Sequence, residues 1–231
     1  MSKDVRYEIK MVGQAAAYHR LRMFMRMDRS GLRELYPPRI VQSIYFDTLM
    51  GKALEENLAG ISHREKIRFR WYGPAQDRAQ GILERKVREN MLGWKDLLPI
   101  DEEIELEGTR RSDFATKIYS HLTPEWNDVR ATQLIPVQWI RYAREYYNAG
   151  NVRVTIDRKL STWDQRPRQT LSTRCQNPTP DVLIVEAKCG KEHYDELQEL
   201  VGRFPMFADK CSKFVYASLP GEGSHPSFLQ I

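Results

Sequence analysis

The run R-E-K-I-R-F-R, residues 64–70, constrains the fold more than any other stretch of the chain. Because successive side chains of a β-strand point to opposite faces, one face of this run would carry only cations, namely Arg64, Lys66, Arg68 and Arg70. Like charges about 7 Å apart on one strand repel one another, so such a row indicates a bound polyanion. The alternative is a solvated edge strand whose basic residues discourage aggregation.

The same alternation recurs in segments spread along the chain: R-Y-E-I-K, I-L-E-R-K-V-R, V-R-V-T-I-D, L-I-V-E-A-K and S-K-F-V-Y, the last predicted as a strand that begins at Lys213. Each segment combines an apolar face with a face of Lys or Arg and an occasional carboxylate. One charged strand can be a sheet edge, but all of these strands cannot be edges. If they close into a barrel, the charged faces line its interior and helices cover the apolar faces. The expected fold class is therefore α+β, a barrel around a basic tunnel with flanking helices.

Hydrophobic spacing and breaker residues predict the remaining elements. Helices are expected over residues 14–27, 50–58, 113–122 and 191–204, and a further strand from Arg39 to about Phe46. The acidic run 101–107 is interpreted as a solvated face, and residues 162–180 as a loop. We expect one domain over residues 1–219 and a flexible C-terminal tail over residues 220–231.

Composition and motifs limit the function classes. The 231 residues carry 36 basic and 31 acidic side chains, so the net charge of +5 is modest and the basic character depends on placement. No apolar run approaches the roughly 20 residues that span a bilayer, and the N-terminus lacks a signal-peptide hydrophobic region, so the expected compartment is the cytoplasm. Neither G-x-x-x-x-G-K-[ST] nor G-x-G-x-x-G occurs, so any nucleotide chemistry must use another scaffold.

Eight segments in order, from Arg6 to about Ala217, resemble one known family: R-Y-E-I-K, S-I-Y-F-D-T, R-E-K-I-R-F-R-W-Y, L-E-R-K, R-Y-A-R, V-R-V-T-I-D, I-V-E-A-K and S-K-F. The family is the VTC (vacuolar transporter chaperone) polyphosphate polymerase catalytic domain, a branch of the CYTH-like triphosphate tunnel metalloenzymes. The resemblance implies an eight-stranded antiparallel tunnel barrel that binds triphosphate and a divalent metal, Mn²⁺ or Mg²⁺. In the eukaryotic polymerases of this family, the γ-phosphate of ATP is transferred to a growing polyphosphate chain.

The resemblance also assigns roles to individual residues. It implies phosphate contacts or catalytic roles for Lys10, Arg68, Arg70, Lys86, Tyr142, Arg144, Arg153, Ser212 and Lys213, and a metal-binding role for Glu186. Lys66, Lys188, Arg64 and Arg88 share the same predicted faces, and we count Lys66 and Lys188 as phosphate-binding. The plausible acids inside the tunnel are Glu8, Glu84, Asp157 and Glu186, of which one or two should hold the metal through oxygen ligands; our metal candidates are Glu186, Glu84 and Glu8.

Two departures from the family pattern carry expectations of their own. The wider superfamily begins its first strand with E-x-E-x-K, and Arg6 stands where the first glutamate would be, which removes one carboxylate ligand. The sequence contains neither an SPX regulatory domain nor the membrane helices of the eukaryotic polymerase complexes. We therefore expect regulation and product translocation to depend on other proteins, and a membrane-protein partner is one candidate.

The residues leave three functional classes open, two enzymatic and one noncatalytic. Phosphoryl transfer needs positioning and charge neutralisation, whereas hydrolysis also needs a group that deprotonates water. The abundant cations and few acids favour polyphosphate synthesis over a triphosphatase acting on triphosphate or short polyphosphate. The third reading is a noncatalytic module that binds polyphosphate or RNA ends. No nucleic-acid partner is expected, because Tyr7, Phe69 and Trp71 fall on the apolar faces rather than among the cations.

Overall fold

A computed structural model of the chain describes residues 6–90 and 92–219. The elements are β1 (Tyr7–Gln14), α1 (Tyr18–Met27), β2 (Arg33–Asp47), α2 (Lys52–Leu58), β3 (His63–Tyr72), β4 (Arg78–Glu89), β5 (Leu92–Glu105), α3 (Arg111–Ser120), α4 (Asn127–Ala131), β6 (Ile135–Ala149), β7 (Val152–Asp164), β8 (Val182–Cys189), α5 (Tyr194–Arg203) and α6 (Lys213–Ser218). The expected combination of an antiparallel sheet with flanking helices is confirmed. No helix in these residues is both long enough and apolar enough to cross a bilayer.

The strands form one eight-stranded sheet in the order β1-β8-β7-β6-β2-β3-β4-β5, and every neighbouring pair is antiparallel. Within the described residues no backbone ladder joins β1 to β5, so hydrogen bonds do not close the predicted barrel. The sheet is nevertheless strongly curled. Lys86 on β4 lies 3.9 Å from Glu8 on β1, although five strands separate the two in the sheet order. The charged side chains therefore line a concave face.

Alternation divides each strand between this concave face and an outer, apolar face. On the outer face of β2 to β4, residues such as Phe69 and Trp71 pack against α3 through Phe114. At the other end of the sheet, the outer residues of β7 and β8 pack against α1 and α5 through Leu21 and Leu197. Burial of these apolar faces stabilises the curled sheet and leaves the charged face to solvent and ligands.

A third apolar cluster lies on the concave face itself. Tyr45, Ile140 and Ile184 pack there against Phe214, which α6 carries into the groove. The ring of Phe214 stacks on that of Tyr45 with centroids 5.1 Å apart. Helix α6 therefore fills the part of the groove that the cations do not occupy.

Three sequence-based assignments are corrected by the fold. Lys213 begins α6, not a strand, because Ser212 caps a helix by accepting a hydrogen bond from the Val215 backbone N–H. The predicted loop 162–180 is shortened, since β7 continues to Asp164. The sheet also contains β5, Leu92–Glu105, a strand that the side-chain alternation did not predict. The acidic run is solvated as expected at residues 101–103 and 105. The tail predicted over residues 220–231 lies outside the described residues.

Candidate functional site

The concave face carries a charged cluster contributed by β1, β3, β4, β5, β6, β7, β8 and the start of α6. We use the name charged cluster for the cations Lys10, Lys66, Arg68, Arg70, Lys86, Lys95, Arg144, Lys188 and Lys213, and the acids Glu8, Glu84, Asp157 and Glu186. Cations outnumber acids about two to one. Such an excess on one face attracts a polyanion.

The first group of contacts surrounds Glu84 on β4. Its Oε2 accepts hydrogen bonds from Arg68 at 2.8 and 2.6 Å, and Arg70 Nη2 lies 3.0 Å from its Oε1. Lys95 Nζ lies 3.8 Å from Glu84 Oε2. Arg68 also donates a hydrogen bond to the hydroxyl of Tyr45 at 2.8 Å. Burial acts to raise the pKa of Glu84, but the charges of Arg68, Lys95 and Arg70 outweigh it and lower that pKa to about 2. Glu84 therefore orients the two arginines as a permanent anion.

The second group joins Glu8 and Glu186. Lys188 Nζ lies 3.1 Å from Glu8 and 2.9 Å from Glu186. Lys10 Nζ lies 3.2 Å from Glu8 and 3.8 Å from Glu186, and donates to the Cys211 carbonyl at 2.8 Å. Burial would raise the pKa of each carboxyl, yet the neighbouring lysines hold both pKa values well below the ordinary range. The two acids are therefore ionised and face the same lysines.

The third group is built around Asp157, which is buried to 1% side-chain exposure. Arg144 donates two hydrogen bonds to its carboxylate, each 2.6 Å long, and Lys213 Nζ lies 2.5 Å from Oδ2. The ring of Tyr142 lies 5.3 Å from the Arg144 guanidinium and 4.9 Å from Lys213 Nζ. Burial opposes ionisation of Lys213, but Asp157 and Glu186 raise its pKa above the ordinary value. Helix α6 thereby supplies a permanent cation to the groove.

Lys66 differs from these residues. Its Nζ donates to the Ser212 hydroxyl at 2.8 Å, and within residues 6–90 and 92–219 it forms no ion pair with a carboxylate. Burial and then the charges of Lys10 and Lys86 lower its pKa well below the ordinary value. An amine surrounded by cations gains most from a bound anion, so Lys66 marks the place where negative charge is missing.

Two further lysines of the cluster have lowered pKa values near neutrality. Burial lowers the pKa of Lys86 to about 8, with Glu8 opposing the shift. Burial and then the charge of Arg68 lower the pKa of Lys95 to about 7. The charge on this face therefore depends on pH in the physiological range.

Most of the residues selected from the sequence lie together in this cluster. Arg153 is placed differently: it is exposed on β7 and lies opposite Lys188 in the β7–β8 ladder, at the margin of the concave face. Arg64 donates to the Ile61 carbonyl at 2.6 Å, and Arg88 to the Asn90 carbonyl at 3.2 Å, so both lie at the groove's end. The roles of these residues stay predictions.

Sequence reasoning missed Lys95 and Tyr45. Lys95 lies in L-G-W-K-D-L-L-P-I, where polar and apolar residues do not alternate cleanly. Tyr45 alternates with Ile44 and Phe46 in S-I-Y-F-D-T, a signal that places it on the same face as the cations but does not reveal its contact with Arg68.

The acids can be tested for their fit to a divalent metal. No group of three or more His, Cys, Asp or Glu side chains in the described part of the chain is arranged to hold a metal ion. Mg²⁺ is commonly held by one or two carboxylates together with substrate phosphates. Glu8 and Glu186 fit this requirement, because both are ionised and approach the same lysine amine. Glu84 lies apart, with both oxygens bound by arginines.

Comparison with solved structures identifies the fold. A candidate adenylate cyclase from Bacillus halodurans is 12% identical, with a TM-score of 0.53 over 92% of this chain and 96% of that chain. The PH1012 protein from Pyrococcus horikoshii OT3 is 10% identical, with a TM-score of 0.51 over 94% and 99%. A conserved hypothetical protein from Pyrococcus furiosus is 10% identical, with a TM-score of 0.51 over 91% and 99%. The chain therefore shares the fold of these proteins, a curled antiparallel sheet with flanking helices.

A search of curated protein sequences gave no significant match. The family model for the VTC domain, in contrast, matches residues 5–219, nearly the whole chain. That range contains all the residues of the charged cluster. The chain belongs to the VTC domain family.

Proposed function

We propose that the chain is a metal-dependent phosphotransferase that synthesises polyphosphate from the γ-phosphate of ATP on its concave face. Membership of the VTC domain family and the CYTH-like tunnel fold support a triphosphate substrate. The surplus of cations supports a triphosphate substrate independently, because the triphosphate would be the anionic partner that Lys66 lacks among the described residues.

The observation that favours phosphoryl transfer over hydrolysis is the ionisation of the four acids in the charged cluster. Glu8, Glu84, Asp157 and Glu186 all form ion pairs with Lys or Arg, and the pKa of each is lowered. A carboxylate whose pKa is held below its ordinary value by neighbouring cations is a weak base at neutral pH and cannot readily deprotonate water. The terminal phosphate of a polyphosphate chain is already an anionic nucleophile, so chain growth needs no such base.

In the proposed reaction a terminal oxygen of the growing chain attacks the γ-phosphorus of ATP. The bond between that phosphorus and the β,γ-bridging oxygen breaks, the electron pair stays on ADP, and the chain is one phosphate longer. Arg68, Arg70 and Lys86 line one side of the groove, and Arg144 and Lys213 the other. They stabilise the charge on the transferred phosphoryl group, with Glu84 and Asp157 fixing the guanidinium planes. Lys10, Lys66, Lys188, Tyr142 and Ser212 hold the remaining phosphates.

Glu8 and Glu186 would hold a Mn²⁺ or Mg²⁺ ion together with the phosphates. When bound, the ion supplies further neutralisation of phosphate charge. Lys188, whose amine lies beside both carboxylates, is positioned to contact a phosphate oxygen.

The test is incubation of the protein with ATP and Mn²⁺, with and without short polyphosphate as a primer. Products are resolved on a gel, and free phosphate is assayed in parallel. We expect a ladder of polyphosphate and stoichiometric ADP. Arg68→Met should lose most of this activity, whereas Lys117→Met, an exposed lysine on α3 outside the groove, should retain it.

Other products would contradict the proposal in different ways. Free phosphate without chain growth would make the protein a triphosphatase. Binding of tripolyphosphate without any turnover would leave a phosphate-binding module.

A further inference from the structure

Beyond the charged cluster, the concave face carries a group of tyrosines around one arginine. We name it the tyrosine cluster: Tyr36, Tyr72 and Tyr146, with Arg39 between them. The Arg39 guanidinium lies 5.5, 5.6 and 5.9 Å from the ring centroids of Tyr36, Tyr72 and Tyr146. The rings of Tyr36 and Tyr146 contact each other edge to face at 5.8 Å. Strands β2, β3 and β6 each contribute to this group.

A backbone irregularity brings Tyr36 and Arg39 to the same face. They are three residues apart, so a regular strand would place them on opposite faces. The β2–β6 register shifts between them, at Pro37-Pro38, so that Tyr36 pairs with Tyr146 and Arg39 with Arg144. Directly opposite residues share a face, and Arg144 is a member of the charged cluster. The tyrosine cluster therefore continues the same groove.

A direct bond connects the two clusters. Arg70 donates from Nη2 to the Tyr72 hydroxyl at 2.7 Å, and its guanidinium lies 5.2 Å from the centroid of that ring. Arg70 also holds Glu84, so a ligand that spans the two clusters would pass from the aromatic rings directly to a phosphate-binding arginine.

The tyrosine cluster remains open to a ligand. Tyr36 is 47% exposed and Tyr72 is 44% exposed. Arg39 is exposed and pairs with no carboxylate in the described part of the chain. A cluster that served packing alone would bury its rings. Half-exposed rings beside a planar, unpaired guanidinium are instead the combination on which nucleobases stack.

We propose that the tyrosine cluster binds the nucleobase of a nucleoside triphosphate whose phosphates extend into the charged cluster. The inference rests on the proposed function, since it needs phosphates on the concave face. It adds the place where the base of that nucleotide binds, which the proposed function leaves open. Stacking is largely indifferent to which base is bound, so purine and pyrimidine triphosphates should both be accepted.

The experiment compares ATP with tripolyphosphate as ligands of the same protein by titration calorimetry. Tyr36→Leu removes an exposed ring and no hydrogen bond of the charged cluster. It should weaken ATP binding by about fivefold or more, in line with base-stacking energies, and leave tripolyphosphate binding unchanged. The matched control is Tyr7→Leu, which removes a tyrosine of similar exposure, 43%, whose ring contacts Tyr194 on the outer face. This control should change neither affinity.

A second readout detects stacking directly. The fluorescence of 2-aminopurine riboside triphosphate should be quenched on binding to the unaltered protein and less so on binding to Tyr36→Leu. The nucleobase site alone would be refuted if Tyr36→Leu weakened the affinities for ATP and tripolyphosphate equally. It would also be refuted if Tyr36→Leu changed neither the affinity for ATP nor the fluorescence quenching. Failure of the unaltered protein to bind tripolyphosphate would instead overturn the proposed function, and the nucleobase site with it.

Discussion

Replacing Lys66 by methionine is expected to stabilise the ligand-free protein and, at the same time, to weaken its affinity for tripolyphosphate. Lys66 donates one hydrogen bond, to Ser212, and its charge faces those of Lys10, Lys86, Arg64 and Arg68. Methionine keeps most of the volume of the side chain and removes the amine. Most buried-residue substitutions destabilise a protein, so a gain in stability would be specific to an uncompensated charge.

The size of the effect follows from the geometry. A like charge two residues away on the same strand lies about 7 Å distant and repels by about 2 kcal/mol at an effective dielectric constant of about 20. Arg68 is such a neighbour, although Glu84 offsets part of its charge. Loss of the Ser212 hydrogen bond costs about 1 kcal/mol. The net stabilisation should be about 1 kcal/mol, which raises the Tm by about 2–4 °C for a chain of this size.

Binding should change in the opposite direction. A hydrogen bond between an ammonium and a phosphate contributes about 1.5–3 kcal/mol. Its loss corresponds to a Kd for tripolyphosphate that is about 10- to 150-fold higher.

The pH dependence gives an additional check. The pKa of Lys66 is lower in the folded state than its ordinary value of 10.5, so the unfolded chain binds more protons between the two pKa values. The stability of the unaltered protein should therefore rise with pH in that window. Its Tm should approach that of Lys66→Met as the pH nears 10.5.

The assay is thermal denaturation between pH 7 and 10, combined with calorimetric titration of tripolyphosphate at pH 7. Lys191→Met, which removes an exposed lysine next to α5, controls for the loss of one charge. A lower Tm for ligand-free Lys66→Met than for the control would refute the reasoning about uncompensated charge. An unchanged Kd would remove Lys66 from the phosphate-binding face.

Three further results are expected. Asp157→Asn should destabilise the protein by about 3–5 kcal/mol, because it leaves the buried charges of Arg144 and Lys213 without their partner, and thermal denaturation measures this. Tripolyphosphate affinity should fall as the pH rises from 7 to 9, because Lys95, with a pKa of about 7, and Lys86, with a pKa of about 8, lose their positive charge. Calorimetric titration at several pH values measures this affinity, and a Kd that does not change with pH would show that these lysines take no part in binding. Glu186→Gln should abolish Mn²⁺-dependent turnover while leaving the far-UV circular dichroism unchanged, and unaltered activity would exclude Glu186 from the site.

Local sequence pattern was sufficient for much of the fold and the site. The alternation in residues 64–70 places Lys66 and Arg68 on one face and Ile67 and Phe69 on the other, as the structure shows. This inference succeeds because the two-residue period of a strand is a property of the backbone and requires no knowledge of the strand's neighbours.

The N-terminal part of α6 illustrates where local pattern fails. S-K-F-V-Y is compatible with a strand or with one turn of helix. In so short an apolar segment, periodicity cannot distinguish a strand from a helix. Tertiary packing decides the outcome, since Phe214 stacks on Tyr45 in the groove and Ser212 caps the helix. Lys213 reaches Asp157 from a helix and not from the predicted strand.

The sequence by itself determined which side chains share a face, because that depends only on local backbone geometry. Tertiary structure alone decided how the faces meet: the curl that brings Glu8 to Lys86, the approach of Lys95 to Glu84, and the register shift at Pro37-Pro38 that gathers the tyrosines around Arg39. These contacts join residues far apart in the chain. They arise from the packing of the whole sheet around its helices, which no local pattern contains.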